Sequence, residues 1–233
     1  MALPKLVSSK HTLVVPSTKE SIEYRPYLVK EEKILMMAFE SKDQSQMITA
    51  LRDTIAGCTE GKIKVDNLTM FDLEYIFLKL RTKSVGENAK LKVKCIKCET
   101  PNEVNIDLSS VNVIGEIKPT AKIELTDTVG VMLKYPTVKG LYRQLNSLNE
   151  ANSALAAIAS AIESIYDADN VYPAENESEK SILEFIESLT SDQFKKIVSF
   201  FDDMPKLKHD IDFTCTHCKE ENKIAVEGLQ NFF

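Results

Sequence analysis

Histidine is scarce in this chain. There are three in 233 residues, His11, His209 and His217, and none falls in a metalloprotease, nucleophile-elbow or phosphate-loop motif. The many Asp and Glu residues fit solvated helix faces and loops and mark no active site. The sequence thus argues against an enzyme. Long apolar runs are also missing. No span of about 18 apolar residues occurs, and the first residues, Met1-Ala2-Leu3-Pro4-Lys5, carry no apolar h-region, so the expectation is an unsecreted protein without a membrane segment. Nor is there an excess of positive charge. With 29 Lys and Arg against 35 Asp and Glu, the net charge is −6 and the pI about 5.3, which gives no general attraction to phosphate backbones or anionic lipid. Nucleic-acid binding would need a local basic patch. What remains is ordinary: 43% hydrophobic residues, enough for one large domain or two small ones.

The distinctive feature is a pair of cysteine knuckles, Cys95-Ile96-Lys97-Cys98 and Cys215-Thr216-His217-Cys218. A two-residue gap lets neighbouring thiolates reach one Zn²⁺ at about 2.3 Å, and two such pairs complete a closed tetrahedral site. The flanks repeat too. Leu91 and Val93 before the first pair match Ile211 and Phe213 before the second, and Asn102, Val104 and Ile106 match Asn222, Ile224 and Val226 after it. The pattern is a duplicated hairpin, strand, CxxC turn and returning strand, as in a zinc ribbon split by a long insertion. A redox CxxC needs a helix starting at its first cysteine, whereas Pro101 and alternating β-type residues follow these turns. One structural Zn²⁺ per chain, held by Cys95, Cys98, Cys215 and Cys218, is therefore expected. Four protein ligands leave no open position for catalysis at the metal. His217 reads as a turn residue between two ligands. Cys58, the odd cysteine, reads as a small buried side chain.

The expected fold is α+β: split Cys₄ zinc-ribbon-like hairpins with a helical insertion, plus an N-terminal β-hairpin and helices. The expected domains are 1–86, containing the N-terminal hairpin and helices, and 87–233, containing the split ribbon at 87–135 and 205–233 with the insertion at 136–204. Residues 11–15 and 21–25 alternate as strands around the turn Pro16-Ser17-Thr18-Lys19. Helical patterns follow at 30–38, at Met47, Ile48, Leu51 and Ile55, and at Leu73, Ile76, Phe77 and Leu80, the last opening after Thr69. Ile123-Glu124-Leu125 and Val129 to Leu133 suggest a short strand pair. Beyond it, Leu155, Ile158, Ile162 and Ile165 form one helical stripe, Ile182, Phe185, Ile186 and Leu189 a second, and Phe194, Ile197, Val198 and Phe201 a third, with Thr190 and Gln193 as its capping box. Residues 167–179 read as a solvated acidic loop. For the pairs Met36-Met37 and Phe200-Phe201, core packing is the favoured reading. The terminal Phe232-Phe233 must dock on its own domain or on a neighbour.

Pro16-Ser17-Thr18, the run from Tyr24 to Ala38, Leu73-Glu74-Tyr75-Ile76-Phe77-Leu78-Lys79-Leu80-Arg81 and the two knuckles together resemble the baseplate hub subunit or hub assembly protein family of T-even-type contractile-tailed bacteriophages. The resemblance implies a non-enzymatic viral protein acting through contacts with other baseplate hub proteins, located in the virion tail baseplate, the infected host cytoplasm or both. It leaves the oligomeric state open. The competing reading is a zinc-ribbon nucleic-acid-binding or transcription-associated protein, supported by Lys90, Lys92, Lys94 and Lys97 and opposed by the acidic total and by Asp210, Asp212, Glu220 and Glu221.

Overall fold

The computed structural model describes residues 8–118, 120–145 and 150–229, with backbone alone at 143–145 and 150–154. The Phe232-Phe233 pair lies outside them. The fold is α+β, and the chain divides into two compact units, one built from residues up to 65, 71–114 and 206 onward, the other from 66–70 and 115–205.

In the first unit, strands β1 (His11–Val14) and β2 (Ser21–Tyr24) pair antiparallel, with Leu13 opposite Ile22. Their turn is fastened to helix α3 (Met70–Ser84) by a buried carboxylate: Asp72 accepts the Ser17 amide at 2.9 Å and the Ser17 hydroxyl at 2.5 Å. Helix α1 (Val29–Ser41) starts without a side-chain cap from Leu28. Its Glu31 instead turns back to accept the Leu28 amide at 2.7 Å while pairing with Arg25 at 2.8 Å. Arg25 also donates to the Gly57 carbonyl and reaches the Cys58 sulfur at 3.7 Å, both at the end of helix α2 (Gln44–Cys58). One guanidinium thus ties three segments together. Burial pushes the Cys58 thiol up to about 11, so this cysteine behaves as the small buried side chain expected of it. Asp43 caps α2 by accepting the amides of Ser45 and Gln46. Leu73, Ile76, Phe77 and Leu80 are buried as their spacing predicts, and Phe71 and Leu78 join them, so α3 is the unit's central helix. Met36 and Met37, expected in the core, are 59% and 54% exposed. The wide arc of apolar residues on α1 exceeds what one buried face can hold; Leu35 and Ala38 occupy that face and the methionines fall outside it.

The second unit contains a four-stranded antiparallel sheet, in the order β6 (Thr120–Glu124), β7 (Gly130–Lys134), β8 (Ile162–Tyr166), β9 (Val171–Pro173). Helices α4 (Val138–Leu145), α5 (Glu150–Ala161), α6 (Glu179–Glu187) and α7 (Ser191–Asp202) complete it, and its core joins Val131, Leu133, Ile158, Ile162, Ile186 and Ile197. The single stripe expected from Leu155 to Ile165 is broken. The helix ends at Ala161, and Ile162 to Tyr166 continue as a strand with Ile162 and Ser164 buried; a bulged register against Met132 and Leu133 sets Ile162 opposite Leu133 and Ile165 opposite Val131, so a three-residue step that reads as helical runs along a strand. Residues 167–179 are likewise not all loop, since they contain β9 and a short 3₁₀ turn. Gly130 faces Tyr166 across β7 and β8, and a Cβ there would strike the tyrosine hydroxyl and ring, which explains the bare backbone. The Thr190–Gln193 capping box forms as expected, with Thr190 accepting the Gln193 amide and Gln193 accepting the Thr190 amide. Phe200 stacks on Tyr135 at 5.4 Å and packs with Phe201 against the core. Among the described residues no helix is long and apolar enough to cross a membrane.

Two outcomes are expected from the first unit. Asp72→Ala deprives the Ser17 amide and hydroxyl of their acceptor and should lower the unfolding free energy by about 1–3 kcal/mol, read by urea denaturation; an unchanged midpoint would show that the turn is held by other means. Burial by itself raises the Glu31 carboxyl, but the hydrogen bonds from Arg25 and Leu28 outweigh it and hold the group below the usual range. Its contribution is then complete above the unfolded pKa of about 4.3 and is lost as pH falls through the lower folded value. The stability difference between the native chain and Glu31→Gln should therefore be largest near neutrality and shrink in acid.

Candidate metal centre

Two hairpins, each paired over seven positions, build the centre. Strands β3 (Asn88–Lys94) and β4 (Pro101–Asp107) pair so that Val93 faces Asn102, and β10 (Lys206–Thr214) and β11 (Glu221–Glu227) pair so that Phe213 faces Asn222. Alternation along each strand explains the pairing, since Leu91 and Ile106, like Ile211 and Val226, are buried between exposed neighbours. Strand β5 (Asn112–Ile114) joins the second hairpin, with Ile114 opposite Lys206.

The turns are near replicas. In the first, the Cys95 amide donates to the Thr100 carbonyl at 3.0 Å and the Glu99 amide to the Cys95 carbonyl at 2.9 Å; in the second, the Cys215 amide donates to Glu220 at 2.8 Å and the Lys219 amide to Cys215 at 3.1 Å. Glu99 and Lys219 both take positive φ, 55° and 62°. A non-glycine residue in that region costs about 1–2 kcal/mol, so each turn is held by what surrounds it. The surroundings are two asparagines, each crossing to the opposite hairpin. Asn102 accepts the Thr216 amide and Asn222 accepts the Ile96 amide, both at 2.8 Å, while their own NH₂ groups donate to the Thr100 and Glu220 carbonyls. Both are more than 95% buried, at 4% and 2% exposure. The asparagine NH₂ of residue 102 also approaches the Cys215 sulfur at 3.6 Å. Outside this symmetric pair, Lys97 and Glu220 form an ion pair across the turns at 2.6 Å.

The result is a cluster of four thiols, Cys95, Cys98, Cys215 and Cys218, whose sulfurs lie within 4.8 Å of one another. Cys95 and Cys218 are 3.6 Å apart, as are Cys98 and Cys215. Those distances are far beyond a disulfide bond of about 2.05 Å, and all are free thiols. They approach the separation of about 3.8 Å set by four sulfurs around one ion at about 2.3 Å. The backbone prepares the sulfurs unevenly. The Cys218 amide, aided by that of His217, draws the Cys215 thiol down to about 6. The Thr100 hydroxyl and amide lower Cys98. Cys218 receives the Glu220 amide, yet burial and the neighbouring sulfurs push it up to about 12. Amides aimed at sulfur favour thiolate, and four crowded sulfurs oppose several charges at once; a soft divalent cation would relieve that opposition. His217 is not part of the cluster. The sequence contained Asn102 and Asn222 only as matched offsets. Their role could have been read from a polar residue standing at an inward position of an alternating strand.

The family of T4 bacteriophage base plate proteins matches residues 8–233, a stretch that includes both hairpins and the whole described chain. The chain belongs to that family. No curated protein and no solved structure matches it. Membership in the base plate family sets the cluster in a structural protein of the phage tail baseplate.

The crossed asparagines generate an expectation. Asn102→Ala and Asn222→Ala each orphan a knuckle amide and should each destabilise the folded chain by about 1–3 kcal/mol. Because the two bonds share one cluster, the double variant should lose less than the sum, read in a double-mutant cycle; strict additivity would mean that the hairpins are held independently.

Proposed function

We propose that the chain is a subunit or assembly protein of the tail baseplate hub, working through contacts with other hub proteins, stapled by one structural Zn²⁺ and without catalytic activity. The observation that carries the reading is the closed set of four thiols joining hairpins 117 positions apart in a member of the base plate family. All-sulfur tetrahedral surroundings suit zinc among the common divalent ions, and four protein ligands leave no open position for substrate or water. Zinc binding at such sites is coupled to folding, with apparent free energies of about 10–16 kcal/mol in small finger peptides, so even a fraction rivals the stability of a domain.

A nucleic-acid-binding ribbon has one observation in its favour. Lys90, Lys92 and Lys94 stand exposed on one face of β3, with exposed Lys97 at the turn. Their setting weakens it: Glu103 is the register partner of Lys92, Glu220 neutralises Lys97, and the tip residue Ile96 offers no stacking ring.

Metal analysis should give one zinc per chain, lost in Cys215→Ser and retained in Cys58→Ser. Phage carrying Cys98→Ser should fail to build normal baseplates. Normal tails at normal yield from zinc-free protein would overturn the role of the metal, and a steep salt-dependent affinity for DNA or RNA would favour the ribbon alternative.

A further inference from the structure

The second unit contains a cavity of about 410 Å³ between the sheet and α6. Its lining is largely apolar, with Ile165 from β8 and Ile182 and Phe185 from α6. Two tyrosines, Tyr166 and Tyr172, add ring surface. Beside it runs β9, the edge strand of the sheet, where Val171 is 65% and Tyr172 40% exposed. An exposed apolar edge next to an apolar hollow is a recognised combination for docking an extended peptide: the backbone follows the strand and a side chain enters the pocket.

The charged residues that line the cavity are both acidic. Asp167 and Glu177 both line the cavity, and the sequence from Asp167 to Glu179 holds Asp169 and Glu175 as well, with no lysine or arginine. Asp167 is fixed in place. It accepts the amides of Asp169 and Asn170 and the Tyr172 hydroxyl at 2.7–2.9 Å, and these bonds hold its carboxyl below the usual range. Two lysines adjoin the lining and each is paired with a carboxylate outside it: Lys122, 5.0 Å from the Tyr166 ring, with Glu124 at 3.3 Å, and Lys180, next to Ser181, with Glu184 at 3.5 Å.

We propose that this cavity receives an aromatic or branched apolar side chain from an extended, lysine- or arginine-bearing segment of a partner protein. The apolar lining supplies the affinity and the carboxylates select the flanking charge. The inference concerns the second unit alone and does not depend on the cysteine cluster or on the proposed place in the hub.

The test is an NMR titration of the ¹⁵N-labelled full chain with two synthetic probes of equal length, acetyl-Arg-Phe-Val-Arg-amide and acetyl-Glu-Phe-Val-Glu-amide. The basic peptide should shift the amide signals of Val129, Ile165 and Phe185, weaken with added salt, and bind at least about tenfold more tightly than the acidic one. Tyr172→Ala, which removes an exposed ring, should weaken it, and Glu177→Lys should narrow or reverse the preference, while the rest of each variant's spectrum reports an intact fold. Equal binding of both peptides, or no shift at these residues, would overturn the proposal. So would self-association of the chain that protects the same residues without any response to the basic peptide.

Discussion

Crowding four sulfurs into one place is the constraint on which the first unit is arranged. Thiols are weak hydrogen-bonding groups that resist sharing a buried volume once any of them ionises, so their approach needs support from the backbone. The support is reciprocal. Each hairpin lends the other an asparagine, and each asparagine is satisfied at both ends, accepting a knuckle amide across the interface and donating to a carbonyl of its own turn. Neither turn is complete by itself. The left-handed residues Glu99 and Lys219, unfavourable in isolation, persist because the opposite hairpin fixes the geometry on both sides.

The same reciprocity explains how a large second unit can sit inside the first in sequence. The chain leaves the first unit after Ile114 and returns at Lys206, and those two residues are opposite each other in the β5–β10 pairing. Closing a loop of some ninety residues costs little more than closing one of forty-five, because the entropy grows only with the logarithm of length. Gly115, at φ +123°, is part of this device: its missing Cβ lets the departing strand lie against the Pro205 backbone.

Legibility in the sequence followed the strength of the local signal. The duplicated hairpin could be read to the residue because chemistry and alternation agreed over both copies, and α3 because its stripe is long. Thr190 and Gln193 showed their cap because both partners lie within one turn. Ile162 and Ile165 misled because a three-residue step reads as helical, whereas a bulge in the pairing with β7 produces the same step in a strand and was decided from a distance. Met36 and Met37 misled for another reason: composition says that methionine is usually interior, but only the packing of α1 on its neighbours says which arc of the helix is covered. The meeting of Asn102 with Thr216 was beyond any local reading, since 114 positions separate them.

The distance between the knuckles also has a meaning in time. A ribosome adding about 5–20 residues per second needs roughly 6–23 s to pass from the first cysteine pair to the second, 117 positions later. Throughout that interval the nascent chain carries Cys95 and Cys98 without Cys215 or Cys218, while residues 115–205 of the second unit are made. Half a cluster must therefore remain reduced, and unclaimed by foreign thiols or metals, until the last strands emerge. The order of synthesis makes the C-terminal hairpin the last part of the cluster to be made, and a chain truncated before it would lack both Cys215 and Cys218.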